Sequence, residues 1–110
     1  MGTDNALIKG TLDLLILKVV SLEPMHGWGI AQRIQAMSGD ALAVQQGSLY
    51  ASLHRLTREG WLSSAWRDTE HGRRARVYAL TPEGETQLDA EIGHWTRLSR
   101  GVARIVEATA

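Results

Sequence analysis

Gln45-Gln46-Gly47-Ser48-Leu49-Tyr50-Ala51-Ser52-Leu53-His54-Arg55-Leu56-Thr57-Arg58-Glu59-Gly60-Trp61 carries the marks of one helix with a start, a stop and two unlike sides. Gly47 or Ser48 suits the helix start, because glycine or a short hydroxyl accommodates the orphan amides of a first turn. Gly60 suits the stop, because glycine enters the left-handed position after a helix without steric cost. Leu49, Leu53 and Leu56 fall at i, i+4 and i+7 and form an apolar stripe. Tyr50, His54 and Arg58 follow the same rule on a neighbouring face, with Arg55 beside them. One side of the helix packs, and the other presents an aromatic ring, an imidazole and guanidinium groups.

After Gly60, Leu62, Ser64 and Trp66 alternate with Trp61, Ser63 and Ala65, as a strand requires. Val77 and Tyr78 favour a second strand, and the polar segment 68–74 around Gly72 suits the loop between them. A helix followed by a two-stranded hairpin with an arginine-bearing tip is the plan of a winged helix. The helix enters the major groove of a duplex, and the tip reaches phosphate or the minor groove. Arginine suits that tip because its planar fork grips two phosphate oxygens together.

Six segments in this order closely resemble the PadR family of bacterial transcriptional regulators: 25–30 (MHGWGI), 47–50 (GSLY), 53–56 (LHRL), 59–61 (EGW), 72–74 (GRR) and 78–84 (YALTPEG). The resemblance runs from about Leu7 to Leu98. The chain departs from the family's usual pattern at Trp28 and Val77, where tyrosine is frequent, and at Ala51, where proline is common. The resemblance implies a repressor that some members release through a small ligand, among them responders to phenolic acids and flat aromatic drugs. It also implies a short form with a single C-terminal dimerisation helix.

The chain has 110 residues, 44% hydrophobic and 22% charged, the range of one soluble globular domain. Without cysteine, disulfides and thiol chemistry are excluded. The apolar run from Leu12 to Leu22 contains Asp13 and Lys18 and falls short of the ~20 residues that span a bilayer. No basic segment followed by a small-residue cleavage site precedes it, so a cytoplasmic protein without membrane contact is expected. The formal net charge is zero, but from His54 to Arg76 six arginines face three acids. That stretch therefore carries +3 and the remainder −3, an asymmetry that orients a molecule toward a duplex while limiting indiscriminate binding. His26, His54, His71 and His94 are scattered and make no metal-ligand motif, so neither metal nor cofactor is expected. His26 is assigned a structural hydrogen-bonding role. No nucleophile–base pair or phosphate loop is visible, which sets an enzyme aside.

The remaining elements follow from local signals. Residues 1–6 are assigned no structure. A helix from about Leu7 to Leu22 is greasy on two sides, with Leu12, Leu15, Ile16 and Val19 on one stripe and Leu14, Leu17 and Val20 on another. Pro24 follows its end. A second helix runs to about Met37, packed through Ile30, Ile34 and Met37, with Gly27 and Gly29 marking close approach or an irregular first turn. Ala41 to Val44 is expected to be a short strand joining the hairpin. Thr81, Pro82 and Glu83 supply a cap, a first-position proline and a first-turn acid for a long helix to about Glu107. Leu88, Ile92, Trp95, Leu98, Val102 and Ile105 form its apolar stripe.

The expected fold is α+β, mostly α: a winged helix-turn-helix over 1–81 and a C-terminal dimerisation helix over 82–110, together one compact domain. The expected partners are a pseudo-palindromic double-stranded operator, a second copy of the chain and a small aromatic effector. Gln46, Ser48, Tyr50, His54, Arg55, Arg58, Arg73, Arg74 and Arg76 are the expected DNA contacts. Leu12, Leu15, Leu88, Ile92, Trp95, Leu98, Val102 and Ile105 are the expected dimer interface. Trp95 is open to two roles: stacking a planar ligand against its symmetry mate, or filling the interface. The competing reading is a winged-helix module for protein–protein contact without specific DNA binding.

Overall fold

The structure is a computed structural model describing residues 2–70 and 72–109, with side chains described from residue 11 onward. Its elements are α1 (Gly2–Leu22), β1 (Met25–His26), α2 (Gly27–Met37), α3 (Gln46–Arg58), β2 (Leu62–Asp68), β3 (Arg74–Leu80) and α4 (Pro82–Val106). The result is a mostly helical α+β winged helix with a small antiparallel sheet. α1 begins at Gly2, so the segment read as unstructured is helical from its second residue.

α1 is the centre of the core. Leu12, Ile16, Leu17, Val19 and Val20 are buried, and Leu14 and Leu15 are partly buried against them. These positions point in several directions, because α2, α3, α4 and β3 all pack on this helix. Its two greasy sides are thus largely accounted for by the chain's own elements. α2 buries Ile30 and Ile34, whereas Met37 is exposed. Met37 is the last residue of the helix, at its edge beyond the packed stripe. α3 contributes Leu49, Leu53 and Leu56, all fully buried. Truncating any one to alanine costs about 2–5 kcal/mol, because the cavity left behind closes only in part.

The sheet order is β1-β3-β2. Leu62 pairs with Leu80 at the base of the hairpin and Asp68 with Arg74 near its tip. The third strand is Met25–His26, paired with Tyr78 and Val77, and not the expected segment 41–44. β3 has two edges, and β1 and β2 occupy them. Leu42 and Val44 pack instead against the core without strand pairing. His26 also caps α2: its Nδ1 accepts the Gly29 amide at 3.1 Å.

α3 starts earlier than glycine and serine suggest. Its N-cap is Gln45, whose carbonyl accepts the Leu49 amide at 3.0 Å and whose side chain makes no capping bond. Its end is as expected. Gly60 has φ +83°, its amide bonds Thr57 O, and the Trp61 amide bonds Leu56 O, the two reverse bonds of a Schellman motif. This end is tied to the start of α4. The Thr81 hydroxyl donates to Gly60 O at 2.6 Å and accepts the Gly84 amide at 2.9 Å, while the Thr81 amide donates to Trp61 O at 3.2 Å. Gly84 lies so close to the Trp61 carbonyl and Leu80 that a Cβ there would overlap both.

Candidate nucleic-acid interface

With one side of α3 committed to the core, the other is open. Gln46, Ser48, Tyr50, Ala51, His54 and Arg58 are all exposed. The first-turn amides lack a side-chain cap, leaving an electropositive end that suits an anionic partner.

The hairpin supplies a second wall. Strand alternation puts Leu62, Ser64, Trp66, Tyr78, Arg76 and Arg74 on one face, as the pairs Ser64–Tyr78 and Trp66–Arg76 require. Leu62 and Tyr78 are buried, whereas Trp66, Arg74 and Arg76 are exposed, so the face changes from core to surface as the strands leave the body. The guanidinium carbons of Arg74 and Arg76 lie 5.8 and 5.6 Å from the Trp66 ring centroid. Both cations are thereby held by the quadrupole of one ring while their outward N–H groups remain available. Arg76 Nε also donates to Ser64 Oγ at 2.9 Å.

Between these walls runs a groove. Its outer part, about 360 Å³, is lined by Trp28, Tyr50, Trp66, Arg74, Arg76, Tyr78 and neighbouring backbone. Its inner part, about 290 Å³, is lined by Tyr50, His54, Thr57, Ser64, Arg76 and Tyr78. Tyr50, Arg76 and Tyr78 border both. The Tyr50 ring reaches this place by lying against Gly27, where a Cβ would come within 2.8 Å of its Cε1. Burial pushes the Tyr78 phenol above its ordinary value; the Arg76 charge acts the other way and Tyr50 adds to the rise.

The expected contact residues divide into three groups. Tyr50 and His54 on α3 line the groove together with Arg76, and Tyr50 also with Arg74. Gln46, Ser48, Arg58 and Arg73 are exposed but do not line it. Arg55 departs from the expectation: its guanidinium turns to α1 and makes a two-pronged ion pair with Asp13, at 2.7 and 2.9 Å. That hydrogen bonding is the main cause raising Arg55 above its ordinary value, opposed by partial desolvation. His71 lies outside the described residues.

Trp28, Thr57, Ser64, Trp66 and Tyr78 also line the groove and were not among the expected contacts. Trp66 carried a usable signal, since pairing the strands about the polar loop sets it opposite Arg76. Trp28 gave none, because it reaches the groove only through the packing of α2 beside α3.

Of the residues expected at the dimer interface, Leu12 on α1 and Leu88 on α4 are already covered by the chain itself. They retain only 3% and 7% exposure within the single chain, where α1 and α4 pack together. Leu15 is partly buried against the same core. Ile92, Trp95, Leu98, Val102 and Ile105 remain exposed along the outer part of the helix. Among the described residues, no helix is long and apolar enough to cross a membrane, and no group of three or more His, Cys, Asp or Glu is placed to hold a metal ion.

Comparison with known proteins adds to this geometry. Residues 16–90 match the Transcriptional regulator PadR-like family. The chain is 34% identical over 94 residues to the Transcriptional regulator Rv3488 of Mycobacterium tuberculosis, covering 86% of this chain and 84% of that one. The crystal structure of smu.1704 from Streptococcus mutans superposes with a TM-score of 0.77 at 30% identity, over 87% of this chain and 86% of that one. A PadR family transcriptional regulator from Eggerthella lenta does so with a TM-score of 0.80 at 25% identity, over 98% and 92%. A family match across more than half of the chain, together with these relatives, places it: the protein belongs to the PadR-like family of transcriptional regulators.

Proposed function

We propose that the chain is a cytoplasmic, homodimeric repressor that reads a pseudo-palindromic operator with α3 and is released by a small planar aromatic ligand. The observation that carries the DNA reading is the groove itself, with Tyr50 and His54 on one wall and Arg74, Arg76 and Trp66 on the other. Side chains of α3 reach base edges, and the wing arginines bind phosphate. Phosphate contacts position a protein without specifying sequence, and each adds about 0.9 to the slope of log affinity against log salt. Replacing Arg73 and Arg74 by alanine is therefore expected to weaken binding to selected and random duplexes alike and to flatten the slope by about 1.8 per chain. Fluorescence anisotropy with labelled duplexes at several salt concentrations measures it. An unchanged slope removes the wing from the interface. A natural chain whose duplex binding is absent or yields fully to random competitor is a protein-contact module instead.

The dimer reading rests on the apolar ridge Ile92, Trp95, Leu98, Val102 and Ile105, which extends beyond the part of α4 that Leu88 seats on the core. A second copy, joined by a two-fold axis, covers such a ridge and sets the recognition helices about 34 Å apart. Truncation before Trp95 is expected to leave a monomer in sedimentation. A truncated chain that associates as the full chain does overturns this interface. The ligand reading takes Trp95, 41% exposed on the ridge, and its symmetry mate as the faces between which a planar ligand stacks, against the alternative that the ring only fills the interface. Fluorescence titration with planar aromatic compounds tests this against Trp95→Ala, a control made necessary by Trp28, Trp61 and Trp66. Equal quenching in both proteins, or bound compounds that leave duplex affinity unchanged, rejects the ligand role.

A further inference from the structure

Asp13 and Arg55 are 42 residues apart in sequence and meet where α3 packs on α1. Arg55 Nη2 donates to Asp13 Oδ1 at 2.7 Å, and Nη1 donates to Oδ2 at 2.9 Å. Two parallel bonds between two planar groups fix the orientation of both, which a single contact does not do. The Arg33–Glu23 contact, by comparison, spans 3.6 Å between more exposed side chains. Arg55 follows His54 and precedes Arg58 by three residues on α3, and its side chain is still 43% exposed. By type and position it is equipped to reach a phosphate. The carboxylate turns it toward the body of the protein and neutralises it.

We propose that Asp13 sets the sequence-independent affinity of the recognition helix by withholding Arg55 from the DNA backbone. The inference rests on α3 being the recognition helix. An arginine on that helix adds one phosphate contact to every duplex the protein touches, whatever its sequence. An arginine paired with a carboxylate on the neighbouring helix adds none, because leaving the pair gives up two charge-assisted hydrogen bonds. The fork also ties α3 to α1 in one azimuth. The leucine stripe resists separation of the two helices, but apolar packing is less directional.

The test uses the full chain and a labelled duplex of random sequence, titrated by anisotropy across a salt series. In the natural chain, Arg55→Gln is expected to leave the salt slope unchanged, whereas Arg58→Gln lowers it. Asp13→Ala frees the guanidinium and is expected to steepen the slope by about 0.9 for each chain bound, an extra fall in affinity of about 3.5-fold for each fourfold rise in salt. Asp89→Ala removes the same charge from exposed α4 and is expected to leave the slope as it was. The double variant Asp13→Ala with Arg55→Gln is expected to return to the natural slope. A slope that falls in Arg55→Gln shows the arginine already on phosphate and overturns the proposal. So does a folded Asp13→Ala protein whose slope matches that of Asp89→Ala. Should circular dichroism show Asp13→Ala unfolded, the Arg55→Gln slope alone decides. A natural chain without salt-dependent binding overturns the recognition-helix reading, and this inference with it.

Discussion

Replacing Gly27 with alanine tests whether Tyr50 is a working contact set in place by a missing side chain. The new Cβ would stand 2.8 Å from Tyr50 Cε1 and 3.1 Å from both Cζ and Oη. Ordinary carbon contacts begin near 3.5 Å, so the ring must retreat by about 0.7 Å or rotate away. Gly27 opens α2 and has no positive φ, so alanine meets no backbone penalty there. The ring is the free end of an exposed side chain, and displacing it costs about 0.5–1.5 kcal/mol, the range of an off-rotamer torsion. Fold stability, read by urea denaturation, should fall by no more than that. Duplex affinity should fall further. If the Tyr50 hydroxyl donates to a phosphate oxygen, losing that bond removes about 1.5–3 kcal/mol, or about 10- to 100-fold in dissociation constant. Anisotropy with a duplex selected from a random pool measures the loss. In a Tyr50→Ala background the clash has no object, so Gly27→Ala should then cost nothing more. An equal loss of affinity in both backgrounds, or no loss in a folded Gly27→Ala protein, refutes the reasoning.

Gly84→Ala should destabilise the fold by about 1–3 kcal/mol, because the Cβ meets a backbone carbonyl that cannot rotate aside, and this outweighs the gain of about 1 kcal/mol that alanine brings to a helix. Gly47→Ala, whose Cβ would meet nothing within 4 Å, should shift the urea midpoint the other way. Thr81→Ala removes the cap of α4 and should cost about 1 kcal/mol in the same assay. Tyr78 is an acid whose pKa is raised on folding, chiefly by burial, so its contribution to stability is complete below the unfolded value near 10 and is lost as pH rises through the folded value. Urea midpoints between about pH 8 and 11 should therefore fall less in Tyr78→Phe than in the natural chain.

What could be read from the sequence was what the chain encodes over short distances. The leucine stripe and Gly60 of α3, the cap at Thr81 and the alternation of the hairpin each follow from residues within two turns or one strand of one another. Apart from the helix starts at Gly2 and Gln46, the misses depend on remote partners. Met25 and His26 are a strand only because Tyr78 and Val77 present an open edge, and two residues show no period of their own. Arg55 carried every local mark of a contact residue, and its partner lies on another helix. Leu12 reads the same whether a neighbouring helix or a second subunit covers it. Trp28 belongs to the groove through the placement of α2, which no spacing within α2 expresses.

The junction that binds Gly60, Trp61, Thr81 and Gly84 has a mechanical consequence. It welds the end of the recognition helix to the root of α4, so the two turn as one piece. α4 has 25 residues, which at ~1.5 Å each makes a lever arm of about 37 Å, its first turns seated on the core, in a molecule 61 Å long and 20 Å thin. In the proposed dimer the outer ends of two such arms are held together, and the fulcrum lies far from the DNA. A change of about 10° at that end carries the root, and α3 with it, through about 6 Å, more than the ~3.4 Å between successive base steps. A ligand wedged between the arms would not need to reach the reading surface: at this leverage a few degrees of splay put both helices out of step with the groove.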